Sequence, residues 1–166
     1  MACAVVLAIA ALLGGCQRST SVEAGPTTTR PPLTVDELTA RADRICLAAR
    51  TRAAESGVVL DPALVPSAME ESERTPLVVS LTASVDIDRA AYYGLRALRV
   101  PDEVADRFDA YLETKRDRLV AADDAIAALA LGDDAAYAAA MVDVASAEQR
   151  AGVQAVELGF VECSRS

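Results

Sequence analysis

Between residues 105 and 129, side chains recur every seven positions in two interleaved rows. Ala105, Leu112, Leu119 and Ile126 form one row; Phe108, Lys115, Ala122 and Leu129 form the other. A seven-residue repeat holds one stripe of an α-helix against a neighbour, and a strand with its two-residue period cannot use it. Val, Ile and Thr nowhere gather in a sustained two-residue alternation, so the sequence offers no sheet to cover that helix. The large core residues are few: two Phe, four Tyr and no Trp. Ala, Leu and Val must fill the interior, which suits closely spaced helices better than a β-sandwich. The chain therefore reads as all-α.

Local signals divide the rest of the chain into helices. Thr34-Val-Asp-Glu37 is a capping box that follows Pro31 and Pro32, and Leu38, Ala42, Ile45, Cys46, Ala49 and Ala53 fall on one face after it. With Gly57 as the residue beyond its end, helix one spans about 35–56. Pro62 and Pro66 keep residues 58–75 irregular, with a short turn over 67–74. Thr75-Pro76 reads as a cap with proline in the first helical position, and the stripe from Leu77 to Leu98 makes helix two about 76–98. Pro101 opens helix three, with Asp102, Glu103 and Asp106 at its positive end, and Gly132 closes it after about Leu131. Asp133 or Asp134 caps helix four, whose inner face is Tyr137, Met141, Val144, Ala147, Ala151, Ala155 and Leu158. Short connections imply antiparallel neighbours, hence an up-down-up-down four-helix bundle. Coiled-coil-like seams without a closed bundle are the other arrangement.

Residues 1–15 carry no charge and are apolar throughout. The run is too short to cross about 30 Å of hydrocarbon and has the length of a signal-peptide apolar region. Leu13-Gly14-Gly15-Cys16 looks like a bacterial lipobox, in which the cysteine takes a diacylglyceryl group and cleavage falls just before it. No Lys or Arg precedes the apolar run, a departure from the usual signal. The competing reading buries residues 4–13 as a helix of the domain. Gln17–Pro32 is rich in Ser, Thr, Pro and Gly, with Val22 its single large apolar residue. It reads as a disordered tether with a reach of roughly 20–24 Å; Thr27, Thr28 and Thr29 beside prolines also resemble glycosylated stalks. The expected organisation is a signal peptide over 1–15, a lipidated Cys16 and linker over 16–33, and a helical domain over 34–166. Two or three acyl chains would anchor the exported protein to the outer face of the cell membrane.

Four cysteines are then accounted for. Cys3 leaves with the signal and Cys16 carries lipid. Cys46 lies on the inner face of helix one and Cys163 just past helix four. In an oxidising compartment these two pair and link the first helix to the last, closing a loop worth on the order of 4–5 kcal/mol of chain entropy.

The parts together resemble a loose class of secreted actinobacterial lipoproteins. Its features here are the lipobox, the Thr/Pro linker, the motif Ala42-Asp43-Arg44-Ile45-Cys46, the pair Gly132-Asp133 before an Ala-rich helix, and Leu158-Gly159-Phe160-Val161-Glu162-Cys163. The class has no assigned activity, so the resemblance implies location and fold and no mechanism.

Composition narrows the chemistry. With no histidine there is no Ser-His-Asp triad, Cys-His dyad or HExxH zinc site. The net charge is −9, and the stretch from Thr34 to Cys163 holds nearly all of the acidity, which argues against nucleic acid as a partner. Asp86/Asp88, Asp123/Asp124 and Asp133/Asp134 lack the loop spacing of a hard-cation site, so no metal and no cofactor is expected. Lys115, the single lysine, occupies a core-like position; it either snorkels to the rim or is a buried nucleophilic amine. Tyr92, Phe108, Tyr111 and Tyr137, with Tyr93 nearby, are candidates to ring a pocket or are the bulkiest core pieces. The expected role is non-enzymatic: a helical module at the cell envelope that binds a protein or cell-wall component. The alternative is a carrier of a small apolar ligand in an interhelical pocket.

Overall fold

The computed structural model describes residues 31–165, which build a core of their own. The predicted signal, Cys16 and most of the linker lie outside the described residues. The described chain is a four-helix bundle: α1 (Val35–Ser56), α2 (Glu71–Arg96), α3 (Ala105–Leu131) and α4 (Asp134–Glu157). Single 3₁₀ turns stand at Pro66–Ala68, Asp102–Val104 and Cys163–Arg165. Among the described residues there is no strand, and no helix is long and apolar enough to cross a membrane.

The caps explain the boundaries. The Glu37 N–H donates to Thr34 Oγ1 (3.2 Å) and the Thr34 N–H to Glu37 Oε2 (2.9 Å), so both ends of the capping box are made. Gly57 ends α1 at φ +64° and Gly132 ends α3 at φ +70°, left-handed conformations that suit glycine. Asp133 is the cap of α4, accepting from the Ala136 N–H at 3.0 Å. The start of α2 differs from the sequence reading. The helix begins at Glu71, capped by Glu70 with Glu73 reaching back to it. Pro76 lies inside it, and the Thr75 hydroxyl donates to the Glu71 carbonyl instead of capping. The proline is tolerated because only the carbonyl of Ser72, an exposed residue, loses a donor.

Packing follows chain order: α1 on α2, α2 on α3, and α3 most extensively on α4. The core has two centres. One gathers Leu38, Leu95, Phe108, Tyr111 and Phe160 beside Cys163; the other gathers Leu81, Val85, Leu129, Tyr137, Met141 and Val144. The circuit from α4 back to α1 closes through the turn at Cys163–Arg165, which packs on both helices, and through the Cys46–Cys163 disulfide (Cα–Cα 5.1 Å).

Candidate functional site

The motif around Cys46 and the motif around Cys163 meet in space. The Asp43 carboxylate accepts from the Glu162 N–H (2.8 Å) and the Val161 N–H (3.2 Å). One turn along α1, Cys46 bonds Cys163; one turn further, Arg50 pairs with Glu162. Arg165 takes the other Glu162 oxygen at 3.1 Å. Phe160 plugs this latch into the core, edge-on to Phe108 and Tyr111. The motif positions are thus structural. Asp43 orders the backbone of the C-terminal turn, Cys46 ties it down, and Ile45 fills the space beside Gly94.

Beyond the latch, α1 and α4 leave a cleft of about 410 Å³. Arg50 and Ala53 supply one wall, and Met141, Val144, Ala145 and Glu148 face them from α4. Leu81 and Val85 from α2, Ala122 from α3 and Leu60 from the α1–α2 connection make an apolar floor. The mouth is charged: Arg118 donates to Asp88 Oδ2 at 2.7 Å and stands 4.0 Å from Glu148, while Arg50 and Arg165 approach from the latch. Against the acidity of the whole domain, this rim gathers three arginines. The volume falls in the range of small-molecule sites, as does the combination of an apolar body with a few polar groups.

Lys115 opens onto a separate recess of about 40 Å³ beside Asp88, Leu95 and the disulfide. Its residue surface is half-buried, and it forms no ion pair or hydrogen bond with any described residue. Burial of the ammonium pushes its pKa down, and the Arg118 guanidinium adds to this; Asp88 and Glu148 act in the opposite direction. The position is the one the heptad gives, and the amine is turned inward beside the latch.

The candidate aromatics do not converge on this cleft. Phe108 and Tyr111 are buried in the first core centre and Tyr137 in the second; Tyr92 packs against both, and Tyr93 is 57% exposed. Tyr137 donates its hydroxyl to the Asp61 carbonyl (2.8 Å), bracing the α1–α2 connection. The Tyr111 hydroxyl is buried without a partner among the described residues, and burial first, then the Asp43 charge, push its pKa up. Five of the six paired aspartates are ion-pair or hydrogen-bond partners: Asp86 and Asp123 both hold Arg89, Asp88 holds Arg118, Asp133 caps α4 and Asp134 accepts from Ser67, while Asp124 is exposed. Sequence reasoning does not find the cleft residues, because Leu81, Val85 and Val144 carry the same periodicity as any core face. Comparison with known proteins found no matching family model, no similar curated protein and no similar solved structure.

Proposed function

We propose that the protein is an exported lipoprotein, held to the outer face of the cell membrane through Cys16, whose helical domain binds a small apolar ligand in the cleft between α1 and α4. The observation that carries the ligand reading is the cleft itself: an apolar floor of Leu60, Leu81, Val85 and Ala122 under a rim of arginines and carboxylates. That arrangement suits a ligand with an apolar body and a polar end, and it favours the carrier over a module that binds only a protein or the cell wall. Binding rather than catalysis is the reading because the rim charges are engaged with one another.

The ligand reading is tested by titrating residues 31–166 with anilinonaphthalene sulfonate, followed by fluorescence and calorimetry. Saturable one-to-one binding is expected. Ala53→Trp, at a half-buried wall position, fills the cleft and lowers affinity by about tenfold or more at unchanged helicity. Equal binding by wild type and Ala53→Trp removes the cleft as the site. The anchor has its own test: radioactive palmitate marks the full chain and not Cys16→Ala, and equal labelling of both sinks the lipid assignment.

A further inference from the structure

The outward face of α4 carries a second heptad that the core does not use. Ala139, Val142, Ser146, Gln149, Val153 and Val156 follow alternating steps of three and four residues, and all are exposed. Val142 is 67% exposed, Val153 56% and Val156 66%. None of the six is charged, although the solvent face of a bundle helix is ordinarily where the charges sit. Steps of three and four are the seam of a two-helix coiled coil. One edge of the seam carries Asp143 and Arg150, with Glu157 at its far end; the other edge is small, with Ala138, Ala145 and Gly152, and lets a second backbone come close.

We propose that this seam binds the same seam of a second copy, as an antiparallel pair of α4 helices about a two-fold axis. The occupant follows from charge. Antiparallel pairing sets Asp143 of each copy against Arg150 of the other, so the same ion pair forms twice. Within one chain Arg150 donates to the Ser146 hydroxyl (2.7 Å), and neither Asp143 nor Arg150 forms an ion pair with a described residue. A parallel pair would turn this charged edge toward the uncharged edge and leave both charges unmatched. In the antiparallel register Val142 meets Val153 of the other copy, Ala139 meets Val156, and Ser146 meets Gln149. Valine layers therefore flank a central polar pair, which fixes the register.

The seam from Ala139 to Val156 is about 26 Å long at 1.5 Å per residue. It buries on the order of 800 Å² in the pair, less than a stable specific interface needs and in the range of weak, transient contacts. The dimer is accordingly weak in solution, and attachment of both copies to one surface raises its occupancy by effective concentration. Ala145 lies on both the seam edge and the cleft wall, but none of the six seam positions lines the cleft, so the pair forms without a ligand.

Sedimentation equilibrium on residues 31–166, from about 10 µM to about 1 mM, tests the pair. A monomer–dimer equilibrium is expected. Val142→Lys, at an exposed position, weakens association by about tenfold or more with an unchanged circular dichroism spectrum. Arg150→Asp weakens it by about threefold to tenfold, and adding Asp143→Arg to that variant restores it. A monomer throughout the range, or a Val142→Lys variant that associates like wild type, overturns the proposal. A charge-exchanged double variant as weak as Arg150→Asp alone overturns the antiparallel pairing.

Discussion

Replacing Asp43 by alanine removes both side-chain acceptors from the C-terminal turn and nothing from the covalent latch. The carboxylate takes the Glu162 N–H at 2.8 Å and the Val161 N–H at 3.2 Å. Hydrogen bonds to a charged acceptor contribute about 1.5 kcal/mol or more each. The Val161 bond is at the surface and is discounted, so the pair contributes roughly 2–3 kcal/mol. Alanine returns about 0.5 kcal/mol of helix propensity to α1. The net cost is about 2 kcal/mol, or roughly 8 °C in melting temperature for a domain of this size.

The assay is thermal unfolding by circular dichroism at neutral pH with the disulfide intact, repeated in urea with the slope held as a check on two-state behaviour. Asp43→Asn keeps one acceptor oxygen and is expected about midway. Because Cys46–Cys163 prevents the turn from leaving, the loss measured is that of the bonds and not of Phe160 burial. An Asp43→Ala protein that melts within about 2 °C of wild type refutes the reasoning: the motif aspartate would then not order the turn.

Lys115→Met is expected to stabilise the protein at pH 7 by about 1 kcal/mol, since a partly desolvated charge with no ion-pair partner among the described residues gives way to an apolar side chain of similar length. The folded-state pKa of Lys115 is lowered, chiefly by burial. Between that lowered value and the unfolded value near 10.4, the unfolded chain binds a proton that the native chain does not, so wild-type stability rises with pH. The raised pKa of Tyr111 acts only above about 10, where it reverses the trend. Urea unfolding from neutral pH to about pH 9.5 checks this, and a slope that persists in Lys115→Met assigns it to another group. Gly132→Ala is expected to cost about 1 kcal/mol more than Gly57→Ala, the worth of the Arg74 hydrogen bonds it displaces. Both glycines have positive φ, but a Cβ at Gly132 would sit 2.6 Å from Arg74 Nη1, whereas Gly57 has open space. Arg74 would have to leave the Pro66 and Met69 carbonyls it holds at 3.2 and 3.3 Å. Equal urea midpoints for the two variants dismiss the Arg74 contribution.

Boundaries are legible in the sequence where one local signal stands alone. The Thr34 capping box and Gly57 fix both ends of α1. At α2 two signals compete within a few residues, and the Glu70–Glu73 box prevails over Thr75-Pro76 because its two reciprocal bonds outweigh one carbonyl left without a donor. The disulfide is legible from cysteine arithmetic and the expected compartment. Asp43 is legible as part of a motif but not as a cap, since its partners lie 118 and 119 residues away. Phe108, Tyr111 and Tyr137 are fully buried, and periodicity does not say which of two core centres a ring enters. The cleft is not legible at all: it depends on how α1 and α4 stand apart beyond the latch, a tertiary distance that no local spacing encodes.

The two heptads show the same limit from another side. In α3 the repeat of Leu112, Leu119 and Ile126 is buried; in α4 the repeat of Val142, Gln149 and Val156 faces solvent. Sequence period alone cannot distinguish them, because α4 carries a second apolar row, Tyr137, Met141, Val144, Ala147 and Ala151, that fills the core instead. A helix apolar on one stripe needs one neighbour; a helix apolar on two opposite stripes needs two. The bundle supplies α4 with α3 on the inner side and, among the described residues, nothing on the outer. The unmet stripe, with its Asp143–Arg150 edge, is therefore better read as a demand for a second surface than as an accident of an alanine-rich composition.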